Sequence, residues 1–134
     1  MMHTISEKMA SYPVSVTEKL SQLRDLIRQV AEENQCGPVE ESLKWGQLSY
    51  GVKTGTSIRL DWQSDHGNRL YLYVHCQTKL VATYQELYSE AFTYEGNRAL
   101  VMPLDYDFKR PELAHCIQLA LTYKHRKHLP MLGA

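Results

Sequence analysis

The sequence predicts a two-layer α+β domain: a mainly antiparallel, five-stranded sheet with helices on one face, in the order α-β-β-β-α-β-β-α. Three observations predict it. Apolar residues recur at helical spacing in three separated segments, they recur at every second residue between those segments, and the breaks between strand segments are short enough for hairpins.

The first helical segment opens at Ser15-x-x-Glu18. This is a capping-box pattern, in which the serine oxygen accepts from a free backbone N–H and the glutamate reaches back. Val16, Leu20, Leu23, Ile27, Val30 and Ala31 form its apolar stripe, with Arg24, Asp25, Arg28, Glu32 and Glu33 opposite, and Cys36-Gly37-Pro38 ends it. The period then changes to two. Leu43 and Trp45 share one parity and Leu48, Tyr50 and Val52 the other, which a bulge near Gly46 within a single strand reconciles. Lys53-Thr54-Gly55 turns the chain into a strand with Ile58, Leu60 and Trp62 on one face and Arg59 and Asp61 on the other. Asp65-His66-Gly67-Asn68 turns it again, into a strand with Leu70, Leu72, Val74 and Cys76 facing one way and Tyr71, Tyr73 and His75 the other. Thr78 is placed to cap a second helix carrying Leu80, Val81, Tyr84, Leu87 and Tyr88. Two short strands, 92–95 and 98–104, flank Gly96-Asn97. Pro111 suits the first turn of a third helix with the stripe Leu113, Cys116, Ile117, Ala120 and Leu121, running into Lys124-His125-Arg126-Lys127-His128. Residues 1–12 read as a loosely ordered extension of one domain spanning 1–134.

Composition excludes several classes of function. Fifteen basic and fifteen acidic residues cancel, so no global field draws the chain to nucleic acid or to an anionic membrane. Three cysteines without a CxxC pair do not make a secreted disulfide scaffold. Met1 to Ser11 is mixed and polar, and no apolar run approaches the roughly 20 residues that span a bilayer, so a cytoplasmic location is expected.

The stretch from Gly51 to Ser57 lacks the Gly-Lys-Ser/Thr ending of a phosphate loop and reads as a hairpin turn. His75-Cys76 on a strand point to opposite faces, and His115-Cys116 on a helix diverge by about 100°, so neither pair chelates as a unit and the cysteines read as core residues. His125 and His128 are spaced to share a helix face among lysines and an arginine, a solvated helix end. Glu32, Glu33, Glu40 and Glu41 form the one acidic cluster, the oxygen-rich chemistry that hard cations prefer. Arg59, Tyr71, Tyr73 and His75 mark the sheet face away from the helices, where exposed rings would meet a stacked ligand, a protein segment or a second copy of the chain.

From Glu41 to Tyr50, Glu-Ser-Leu-Lys-Trp-Gly-Gln-Leu-Ser-Tyr, the chain resembles the YdhG-like family of small bacterial proteins, catalogued as a domain of unknown function. The segments His75 to Val81, Glu95 to Ala99 and Ala120 to Pro130 carry the same resemblance, which runs from about Pro13 to the end. It implies an α-β(3)-α-β(2)-α arrangement like that of type III secretion chaperones. One branch of that family is described as a frataxin-like intracellular iron chaperone for cluster and haem assembly.

The expectation is therefore a non-enzymatic binding module for an anionic or aromatic small ligand or a protein segment. Its candidate site is Trp45, Tyr50, Arg59, Tyr71, Tyr73, His75, Lys79, Asn97 and Arg98, with no catalytic residue and no established cofactor. The alternative is an iron donor using Glu32, Glu33, Glu40 and Glu41.

Overall fold

In the computed structural model, which describes residues 4–64 and 68–134, the chain runs α1 (Ile5–Ala10), α2 (Val14–Glu33), β1 (Glu40–Lys44), β2 (Gln47–Gly51), β3 (Ile58–Gln63), β4 (Arg69–Tyr73), α3 (Leu80–Leu87), β5 (Thr93–Glu95), β6 (Ala99–Pro103), α4 (Pro111–Leu121) and α5 (Tyr123–Arg126), then a 3-10 turn over Pro130–Gly133. The α+β class and the antiparallel sheet are as expected. The strand count is not: among the described residues six strands form one open sheet in the order β1-β2-β3-β4-β6-β5.

The extra strand comes from the segment read as one bulged strand. Lys44 pairs with Gln47, so Trp45 and Gly46 are the two central residues of a hairpin turn. Their φ values of 55° and 76° are both positive, the signature of a type I′ turn whose twist matches the flanking strands. The parity switch between Leu43 and Leu48 is the change of strand, and the two are cross-strand partners on one face.

Alternation sorts the sheet into two faces. Leu48, Tyr50, Ile58, Leu60, Leu70, Leu72, Leu100 and Met102 point toward the helices and are fully buried. Over them lie Leu20, Leu23 and Ile27 of α2, Leu80 and Tyr84 of α3, and Leu113, Ile117 and Ala120 of α4, in one apolar cluster. Each such aliphatic side chain contributes about 1.5–3 kcal/mol by leaving water. The other face carries a smaller cluster of strand residues alone: Tyr71, Tyr73, Ala99 and Val101. Here the expectation of exposed rings is corrected. Tyr71 and Tyr73 are only 2% and 8% exposed, and their rings stack with centroids 5.6 Å apart.

Three further readings change. Helix α2 begins at Val14 behind Pro13, which makes no side-chain cap, so the Ser15 capping box does not form. Residues read as a loose extension instead form α1, capped by Thr4 Oγ1 accepting from the Glu7 N–H at 3.1 Å. Beyond α1, Tyr12 enters the core and donates to Asp61 Oδ1 at 2.7 Å. Asp61 lies one residue beyond the end of the β2–β3 ladder, which closes at Leu48 with Leu60. Cys76 is exposed, since β4 stops at Tyr73, whereas Cys36 and Cys116 are buried. The turn read at Asp65-His66-Gly67 lies outside the described residues.

The third predicted helix breaks at Thr122, and a loop supplies the reason. Thr56 N–H donates to Ala120 O at 3.0 Å, Thr54 Oγ1 donates to Leu121 O at 2.7 Å, and Lys124 N–H donates to Thr54 O at 3.0 Å. The β2–β3 loop thus occupies the groups that would continue the helix. Gly55 makes this approach, and a Cβ there would run into the backbone of Ala120 and Leu121. Because α5 ends at Arg126, His125 and His128 do not share a helical face.

Candidate functional site

The type I′ turn holds Trp45 91% exposed, in a left-handed conformation that Asn or Gly adopts with least strain. Two adjoining concavities of about 390 and 350 Å³ open beside it, and Trp45, Arg59 and Arg98 line both. The first is completed by Thr56, Ser57, Val74, His75 and Cys76, the second by Gln47, Tyr73 and Glu95.

Local structure sets each group. Arg59 pairs across the ladder with Tyr73, and its guanidinium lies 5.9 Å from that ring's centroid, a cation–π contact. Gln63 Nε2 donates to the Tyr73 hydroxyl at 3.2 Å. Burial, with the Asp61 and Glu95 carboxylates nearby, pushes the Tyr73 phenol above its ordinary range, so it stays a neutral donor. Arg98 is exposed just before β6, its carbonyl accepting from the Val74 N–H at 2.9 Å. Among the described residues neither Arg59 nor Arg98 is in an ion pair. Asn97 Nδ2 donates to Cys76 O at 2.9 Å, which ties the β5–β6 turn to the segment after β4. His75 Nδ1 accepts from the Gln77 N–H at 3.1 Å, so in the neutral ring the proton sits on Nε2 and donates.

Of the residues chosen from sequence, Trp45, Arg59, Tyr73, His75 and Arg98 come together here, and Asn97 braces the rim. Three do not join them. Tyr50 is fully buried on the helix side of the sheet, its phenol pushed up by desolvation and by the Glu41 carboxylate. Tyr71 lies in the buried cluster beneath Tyr73. Lys79 stands at the start of α3, its N–H donating to the Tyr123 hydroxyl at 3.1 Å.

The chain has no match among family models, curated proteins or solved structures. The site's own chemistry is what there is to read.

The acidic alternative disperses. Glu32 and Glu33 end α2 on its exposed side and Glu40 opens β1, also exposed. Glu41 receives Arg24 and Arg28, each at 3.4 Å, so two guanidinium groups occupy its carboxylate. Among the described residues no three His, Cys, Asp or Glu side chains come together as a metal group.

Sequence reasoning missed Thr56, Ser57, Gln47 and Glu95. Ser57 was within reach: carrying the two-residue period of β3 back from Arg59 puts it on the same face. Gln47 was within reach as to its face, opposite Leu48 by the same alternation, but its place beside Trp45 depends on the hairpin turn.

Proposed function

We propose that this chain is a non-catalytic binding module whose cleft takes a small anionic ligand with a planar group. The observation that carries the reading is Trp45. A non-glycine residue in the left-handed region costs of order 1–3 kcal/mol, and an exposed indole gains nothing from burial. A side chain held at that cost beside two guanidinium groups that, among the described residues, are in no ion pair is well suited to stacking on a ligand whose charge they neutralise.

The neighbouring thiol and imidazole support binding over catalysis. The His75 Nδ1 lone pair is taken by the Gln77 N–H, which leaves the neutral ring without an acceptor for the Cys76 proton. Kinship with YdhG-like proteins belongs to the same proposal, since the segments at Trp45-Gly46, His75 to Lys79 and Asn97-Arg98 all contribute to this cleft or its rim.

The test is a thermal-shift and tryptophan-fluorescence screen with small aromatic and aliphatic anions, run on the parent chain and on Arg59→Ala and Arg98→Ala. A ligand at a hundred times its Kd stabilises the fold by about 2.7 kcal/mol. The expected result is a rise in melting temperature that both substitutions abolish. A rise that survives both, or no response to any anion, refutes the proposal.

A further inference from the structure

The two halves of the cleft differ in chemistry. The half completed by Thr56, Ser57 and His75 offers hydroxyls and an imidazole N–H beside both guanidinium groups, and among the described residues no carboxylate lines it. The half completed by Gln47 and Glu95 adds acceptors, a carboxylate and an amide oxygen. Trp45 borders both. From these observations we infer that the ligand is a small phosphomonoester joined to a planar ring bearing N–H donors, the chemistry of a nucleoside monophosphate. The inference rests on the functional reading above and deepens it.

The donor count favours phosphate over carboxylate. One guanidinium satisfies a carboxylate with two parallel bonds, whereas a phosphomonoester presents three charged oxygens and has use for both arginines, two hydroxyls and an imidazole N–H. In the other half, Glu95 and Gln47 are matched to a ring edge that donates. Bordering both halves, the exposed indole is a stacking surface, and stacking of this kind changes affinity by roughly fivefold to a hundredfold per base. Each half, at about 390 and 350 Å³, is also of small-molecule size, within the range of about 300–1,000 Å³ for such sites.

Isothermal titration of the full chain at low salt, with adenosine and uridine monophosphates, adenosine, ribose 5-phosphate and inorganic phosphate, tests this. The nucleotides are expected to bind at least about tenfold more tightly than adenosine or ribose 5-phosphate. Arg98→Ala should weaken the nucleotides and ribose 5-phosphate together and leave adenosine unchanged. Trp45→Ala should weaken the nucleotides and adenosine and leave ribose 5-phosphate unchanged. Both positions are exposed, and circular dichroism is the check that the variants fold.

Equal affinity for inorganic phosphate and for nucleotide overturns the nucleotide inference while the anion-binding cleft stands. Tighter binding of a single-stranded oligonucleotide than of the mononucleotide overturns it in favour of a nucleic-acid surface. Absence of nucleotide binding at millimolar concentration overturns it as well. Nucleotide binding that ignores Arg59→Ala, Arg98→Ala and Trp45→Ala alike overturns both the inference and the site.

Discussion

Gly55→Ala tests the junction that positions one wall of the cleft. The φ of Gly55 lies outside the left-handed region, so on backbone entropy alone alanine should stabilise the fold by about 0.4–1 kcal/mol. Packing opposes this. The new methyl group meets the Ala120 carbonyl oxygen and the Leu121 carbonyl group, which are backbone atoms with no rotamer through which to yield. If the junction strains in place, overpacking costs about 1–3 kcal/mol. If the loop lifts away, it forfeits the bonds from Thr56 N–H, Thr54 Oγ1 and Lys124 N–H, at about 0.5–1.5 kcal/mol each. Both routes outweigh the entropic gain at their midpoints, and with the cheaper one taken the expected net loss is about 1–2 kcal/mol. Equilibrium urea unfolding measures it. Gly46→Ala is the control, since a Cβ there meets nothing within 4 Å and only the positive φ resists it, at about 1–2 kcal/mol. A Gly55→Ala chain as stable as the parent, or more stable, would show that the loop does not bear on the end of α4 as described.

Further outcomes follow from other sites. Trp45→Asn should stabilise the chain by about 0.5–1 kcal/mol in the same assay, because asparagine suits the first position of a type I′ turn; a loss above 1 kcal/mol would mean that the indole packs. A thiol reagent should modify Cys76 rapidly in the folded chain and reach Cys36 and Cys116 only on unfolding, since both are buried and burial pushes the Cys116 thiol well above its usual range. Glu41→Gln should cost about 1 kcal/mol by unpairing Arg24 and Arg28, a loss that a merely solvated glutamate would not show. His115, whose Nδ1 is 2.6 Å from the Tyr88 hydroxyl, is held below the ordinary histidine value by burial first and by the Arg126 charge second. Its neutral form therefore favours the folded state. That contribution is fully present above about pH 6.5 and is lost as pH falls through the lower folded-state value. Urea unfolding between pH 7.5 and 5.5 should show this decline, and His115→Asn should flatten it.

Periodicity was enough to determine the class of this fold and most of its core. The helical stripe from Val16 to Ala31 and the alternation at Ile58, Leu60, Leu70 and Leu72 are local patterns whose burial any compact structure must honour, and those residues are buried here. Arg59 and Tyr73 could be placed on the face away from the helices by the same alternation. Local pattern could not reveal the turn at Trp45-Gly46, because its conformation lacks the Asn-Gly or Asp-Gly pair that normally announces it. Nor could it show that Tyr71 and Tyr73 would be buried, that Glu41 would be taken by Arg24 and Arg28, or that the β2–β3 loop would interrupt a helix more than sixty residues away. These are contacts between segments distant in the chain. The sequence names the chemistry each side chain carries, but only the tertiary structure decides which groups meet, because pairing depends on the register and approach of whole elements. Trp45 and Arg98 share a cleft for that reason: one sits in the β1–β2 turn and the other just before β6, and only the folded sheet puts both in the lining of one cleft.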